Sequence, residues 1–114
     1  MSRKDPALFL EDILDSMNKI INYTANKSFE EFRSNSMAVD AVLRNLEVIG
    51  EASTNIPMEM KDDNPDIPWR RMVGLRNIVI HEYFGVDLKI IWRVSTIDIP
   101  ETKPMVEELL EEIE

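Results

Sequence analysis

The chain has 114 residues, with 13 Lys+Arg against 22 Asp+Glu and a formal net charge of −9. That is material for one domain over residues 1–114 with one modest core, and it excludes the broad basic face that a DNA-coating protein needs. With no cysteine and one histidine, disulfides, thiolate zinc sites, iron–sulfur clusters, cysteine nucleophiles and multi-histidine metal sites are excluded too.

Only three glycines occur, and apolar residues recur at intervals of three and four. The predicted fold is therefore all-α, an up-and-down bundle of four or five helices. Asp5-Pro6 reads as an N-cap followed by proline at the first helical position. The helix it opens runs to about Tyr23, with Leu10, Ile13, Met17, Ile20 and Thr24 on one side. Ser28-x-x-Glu31 is a capping box that starts a second helical stretch, and Ser34-Asn35-Ser36 kinks or restarts it. The main second helix spans Met37 to Asn55 and buries Val39, Val42, Leu43, Leu46, Ile49 and Ala52. Ile56 to Pro68 holds three prolines and Lys61-Asp62-Asp63-Asn64, which predicts a connector without regular structure. A third helix follows from Pro68 to Phe84, stopped by Gly85. Asp87 caps a fourth helix to about Ser95. Pro100 and Pro104 are expected to break the chain before a short acidic last helix, Met105 to Glu114. The polar stretch Met1 to Pro6 does not read as a leader, and no apolar run is long enough to cross a membrane. The expectation is a cytoplasmic protein with no membrane partner.

The third helix, WRRMVGLRNIVIHEYF, concentrates the chemistry. Arg70, Arg71 and Arg76 form a basic island in an acidic chain, and the only histidine follows. At 100° per residue, Trp69, Val73, Arg76, Ile80 and Tyr83 fall on one face with Met72 and Val79 beside them. Arg76 is thus expected within an apolar stripe, where an unpaired guanidinium is very costly. It calls for a carboxylate from another helix, an interface or a ligand, and Glu47 and Glu51 are the candidate partners. Arg70, Gly74, Asn77 and His81 form a second stripe. Gly74 leaves either a gap for an approaching substrate or room for close helix packing. Arg76 and His81 point about 140° apart, so either the long arginine side chain bends toward the histidine or, the favoured reading, a two-fold pairing of this helix brings both residues of both chains into one cleft. Histidine can take and return a proton near neutral pH, and arginine holds phosphate in a bidentate fork. RNA supplies its own nucleophile, the 2′-hydroxyl, so a base and a phosphate clamp suffice for its cleavage without a metal.

Arg76-Asn77-Ile78-Val79-Ile80-His81-Glu82-Tyr83 resembles the Arg-x4-His-x-Tyr motif of HEPN domains in their HepT-like branch. Arg44-Asn45-Leu46-Glu47-Val48-Ile49-Gly50-Glu51-Ala52, Pro68-Trp69, Gly74, Gly85-Val86-Asp87 and Trp92 are similar to residues the family carries at these places. The resemblance covers about Lys4 to Leu110. It implies a helical homodimer and a metal-independent endoribonuclease, the toxin of a type VII-like toxin–antitoxin pair, with no cofactor. It implies Arg76 as the phosphate-binding residue and His81 as the acid/base, with Asn77 assisting; Arg70, on the same stripe as Asn77 and His81, is a further supporting candidate. It implies a minimal nucleotidyltransferase antitoxin as partner, which adds AMP to Tyr83. The alternative it leaves open is a non-catalytic HEPN module that binds a nucleotide or a nucleotidyltransferase.

Overall fold

The computed structural model describes residues 5–81 and 87–114, with side chains given outside 78–81. It is all-helical, with no strand among the described residues. The elements are α1 (Pro6–Thr24), α2 (Phe29–Arg33), α3 (Ser36–Thr54), α4 (Met58–Asp63), α5 (Trp69–His81), α6 (Leu88–Arg93) and α7 (Ile99–Ile113), with a π-helical turn, Val94–Asp98, joining the last two. Among the described residues, no helix is long and apolar enough to cross a membrane.

The helix starts follow from local chemistry. Asp5 Oδ1 accepts from the Ala7 N–H at 3.0 Å and Pro6 stands in the first turn of α1. Ser28 and Glu31 complete the capping box reciprocally, at 2.9 and 3.1 Å. Asn35 Oδ1 accepts from the Ala38 N–H at 3.1 Å, so the Ser34-Asn35-Ser36 segment ends α2 and restarts the chain as α3. Asp87 Oδ1 accepts from the Lys89 N–H at 2.9 Å and opens α6. Each cap satisfies a backbone donor that the helix cannot use internally.

The predicted stripe of α1 is buried in full: Leu10, Ile13, Met17, Ile20 and Thr24. It meets Val42, Leu43, Leu46, Ile49 and Ala52 of α3, while Val39 is only partly buried. α3 packs against α1 on one side and α5 on the other, and α7 packs against α1. α2 is pinned through aromatics, since Trp92 of α6 lies against Phe29 and Phe32 with ring centroids 6.2 and 5.2 Å apart.

Two expectations are corrected. The Ile56–Pro68 connector contains a helix, α4, because Pro57 sits just outside its first turn and Pro65 and Pro68 lie beyond its end; prolines at those places cost no internal hydrogen bond. Nor do Pro100 and Pro104 break the chain. Pro100 lies in the first turn of α7 and Pro104 inside it. The preceding turn is widened, with the Ile99 N–H donating to the Val94 carbonyl, five residues back. Such a turn gives the Pro100 ring room against the Thr96 carbonyl it would otherwise meet. Ser95 Oγ and Thr96 Oγ1 donate to the carbonyls of Ile91 and Trp92 at 2.8 and 2.7 Å and further loosen the ladder there. The proposed stop at Gly85 lies outside the described residues.

Candidate active site

The site begins where α3 and α5 touch. A Cβ built on Gly50 would stand 2.6 Å from Arg76 N, 2.8 Å from Arg76 Cβ and 3.1 Å from Arg76 Cα. Real Cβ atoms do not approach backbone that closely, so only glycine permits the contact. The next residue of α3 is thereby delivered beside Arg76: Glu51 Oε2 lies 3.1 Å from Arg76 Nη1. The Arg76 and Glu51 side chains are 47% and 57% exposed. At that exposure an ion pair contributes about 0.2–1 kcal/mol, and it leaves much of the guanidinium facing solvent.

This corrects the expected placement of Arg76 within a buried apolar stripe. The buried residues of α5 among those described are Trp69, Met72 and Leu75, so the core face is turned toward Leu75 and away from Val73, which is only partly covered. The reason is Gly50. It lets the backbone of Arg76 rest on α3, and the long side chain then leaves along the surface. The side chains of Val79 and Ile80 lie outside the description.

A groove of about 390 Å³ opens in front of the pair, lined by Phe9 and Asp12 of α1, Arg44, Glu47, Val48, Glu51 and Ala52 of α3, Asn55 and Arg76. Glu47 is therefore a groove wall, and the ion pair runs to Glu51. The charged lining comprises two arginines and three carboxylates. Arg44 and Asn55 were not singled out as site residues in the sequence. Their signal was present, because Arg44, Glu47, Glu51 and Asn55 recur at spacings of three, four and four on one side of α3.

The basic island of α5 does not form one patch. Arg70 and Asn77 lie exposed, seven residues apart and therefore on the same outward side. Arg71 instead lines a second, mainly apolar groove of about 390 Å³ together with Asp66, Asp98 and Glu101. Arg76 faces Glu51. Three arginines that look clustered in sequence are thus distributed around the helix by its 100° step. Gly74 has nothing within 4 Å of a built Cβ among the described residues, so it does not serve helix packing there and its outer side is open.

His81 is the last described residue of α5, five positions and about 7.5 Å of helix rise beyond Arg76; its side chain lies outside the description, as does Tyr83 altogether.

Comparison with known proteins decides the family. The family model described as Ribonuclease HepT-like matches residues 13–109. The chain belongs to the ribonuclease HepT-like family. Among its HepT-like relatives, a Methanocaldococcus jannaschii protein named "Putative RNase" is 46% identical over 107 residues, covering 94% of this chain and 98% of its own. A Thermococcus cleftensis protein named "Probable ribonuclease HepT" is 44% identical over 108 residues, covering 95% and 96%. A Caldanaerobacter subterraneus protein, again named "Putative RNase", is 39% identical over 108 residues, covering 95% and 96%. No solved structure matches. A ribonuclease role is accordingly the coarse functional assignment for this HepT-like chain, and the HepT-like match spans Glu51, Arg76, His81 and Tyr83 alike.

Proposed function

We propose that this protein is a metal-independent endoribonuclease whose reaction is carried by Arg76 and His81. Arg76 binds the scissile phosphate and stabilises the extra negative charge of the pentacoordinate phosphorane. His81 withdraws the proton of the adjacent 2′-hydroxyl, and that oxygen attacks phosphorus. The bond from phosphorus to the 5′-oxygen breaks, and an imidazolium returns a proton to the leaving oxygen. The products are a 2′,3′-cyclic phosphate and a 5′-hydroxyl. Two copies pair through α5, so that one histidine serves as base and the other as acid. Asn77 and Arg70 hold flanking phosphate or ribose oxygens. In its cellular setting the chain is the toxin of a toxin–antitoxin pair, and a minimal nucleotidyltransferase antitoxin silences it by attaching AMP to Tyr83. A bulky phosphodiester beside the cleft excludes RNA by size and charge.

The observation that supports this reading is the state of Arg76. It is half-exposed, it is oriented by the Glu51 carboxylate across a helix contact that only glycine allows, and it lies on the helix that carries His81. The names carried by the relatives favour the same reading.

The test is RNA cleavage in EDTA by the purified protein beside Arg76→Ala and His81→Ala, with intact mass checked first so that an AMP-modified Tyr83 is recognised. Cleavage by the unmodified protein and its loss in both variants is expected, each variant retaining its helical circular dichroism. Cleavage that survives both substitutions refutes the assignment. The three carboxylates of the Arg76 groove, which oppose the approach of a polyanion, favour a second reading, a HEPN module that serves as a nucleotidyltransferase partner without cleaving RNA. No turnover by an unmodified dimer, together with a stable complex with a nucleotidyltransferase measured by calorimetry, would decide for it.

A further inference from the structure

The proposed reaction leaves one feature of the Arg76 site without a role. The guanidinium that is to bind phosphate already holds an anion: Glu51 Oε2 stands 3.1 Å from its Nη1. That anion is tethered. Glu51 follows Gly50, whose backbone rests on that of Arg76, so the carboxylate is returned to the guanidinium whenever it leaves. A tethered group acts at an effective concentration of order millimolar or higher without any free ligand present. Glu47 lines the same groove, and its charge adds to the cost of bringing in another anion.

We infer that Glu51 is a selectivity residue, a resident counter-anion that small phosphates fail to displace and an RNA strand displaces. The inference rests on the reading of Arg76 as the phosphate-binding residue. A lone orthophosphate gains one arginine contact and must break one, so the exchange is close to neutral. An RNA strand brings several phosphates and sugars at once. Its further contacts, with Arg44 in the same groove and Arg70 on the outward side of α5, offset the loss of the Arg76–Glu51 pair. Each neutralised phosphate also releases condensed counterions, which a single orthophosphate cannot match. The site therefore discriminates by the number of charges that arrive together. An acidic protein gains from this arrangement, because its one cleft for RNA is kept clear of the inorganic phosphate and mononucleotides around it.

The test is titration of the full-length protein with inorganic phosphate at constant ionic strength, followed by NMR and calorimetry, in wild type, Glu51→Gln, Glu51→Asp and the double variant Glu51→Gln/Arg76→Ala. Glu51→Gln is expected to bind phosphate about three- to ten-fold more tightly, the range given by losing an exposed ion pair and one like charge. Glu51→Asp, which keeps the charge on a shorter arm, is expected to fall between. The gain is expected to vanish when Arg76 is removed as well. In parallel, phosphate is expected to inhibit RNA cleavage at a correspondingly lower concentration in Glu51→Gln, a shift that a merely structural role would not produce. Equal phosphate affinity in wild type and Glu51→Gln, or a gain that persists without Arg76, overturns the inference. The two levels separate cleanly. Tighter phosphate binding in a protein that never cleaves RNA leaves the counter-anion role standing and sinks the ribonuclease reading; cleavage with unchanged phosphate affinity does the reverse.

Discussion

Replacing Gly50 by alanine puts one methyl group where the structure has no room for it. The new Cβ would meet Arg76 N at 2.6 Å and Arg76 Cβ at 2.8 Å. Ordinary van der Waals contact between such atoms begins near 3.5 Å, so α3 and α5 must part by roughly 1 Å at this point. The partner atoms are backbone and Cβ, which cannot turn aside as a side-chain tip would. Two effects oppose each other. Alanine favours an interior helical position over glycine by about 1 kcal/mol. Overpacking a well-fitted contact costs about 1–3 kcal/mol, and the upper part of that range applies because neither helix can yield locally. A net loss of about 1–2 kcal/mol is expected, read as a lower urea midpoint at constant slope, or as a fall in Tm of roughly 4 °C per kcal/mol for a chain of this size. Gly74→Ala is the internal control. Nothing lies within 4 Å of its built Cβ among the described residues, so it keeps the propensity gain and should stabilise by about 0.5–1 kcal/mol. Opposite signs at the two glycines are the signature of the contact. If Gly50→Ala were as stable as wild type, the close approach of α3 to α5, and with it the positioning of Glu51 beside Arg76, would be wrong.

Other consequences are open to the same measurements. Asn35→Ala removes the cap of α3 and should cost about 1 kcal/mol in denaturant unfolding. Glu31 has its carboxyl held below the usual range by the Ser28 backbone N–H and hydroxyl of the capping box. Its folded pKa lies below its unfolded one, so its contribution is fully present above the ordinary carboxylate range and is lost as pH falls through the depressed value. Acid unfolding of Glu31→Gln should accordingly show a weaker pH dependence in that window than wild type, and an identical profile would refute the cap's role. Ser53 Oγ is buried with no hydrogen-bond partner among the described residues. Deleting a hydroxyl that has lost its water without replacement removes a penalty, so Ser53→Ala should raise stability by about 1 kcal/mol; a loss of that size would mean the hydroxyl is partnered.

Much of this protein is written locally. Asp5 before Pro6, Ser28 three residues before Glu31, and Asp87 before Leu88 each mark a helix start, because a cap is made by atoms within three residues of one another. The stripe Leu10–Ile13–Met17–Ile20–Thr24 is legible for the same reason, since helical period alone puts those residues on one side. Arg76 and Glu51 could be named as a possible pair from charge and cost. What the sequence left open concerns distances between segments. Five prolines read as breaks, yet α4 forms between Pro57 and Pro65, and α7 runs through Pro100 and Pro104 behind a widened turn. A proline's effect depends on whether the hydrogen bond it removes was needed, and that is set by its position in the element. The core face of α5 includes Leu75 and leaves Arg76 half-exposed because Gly50 of a different helix admits the Arg76 backbone. Glu51 rather than Glu47 meets the guanidinium for that reason too. Helix starts and apolar faces are properties of neighbours in the chain; the choice of ion-pair partner and the exposure of the site are properties of how closely two helices can approach, and only the packed structure decides that.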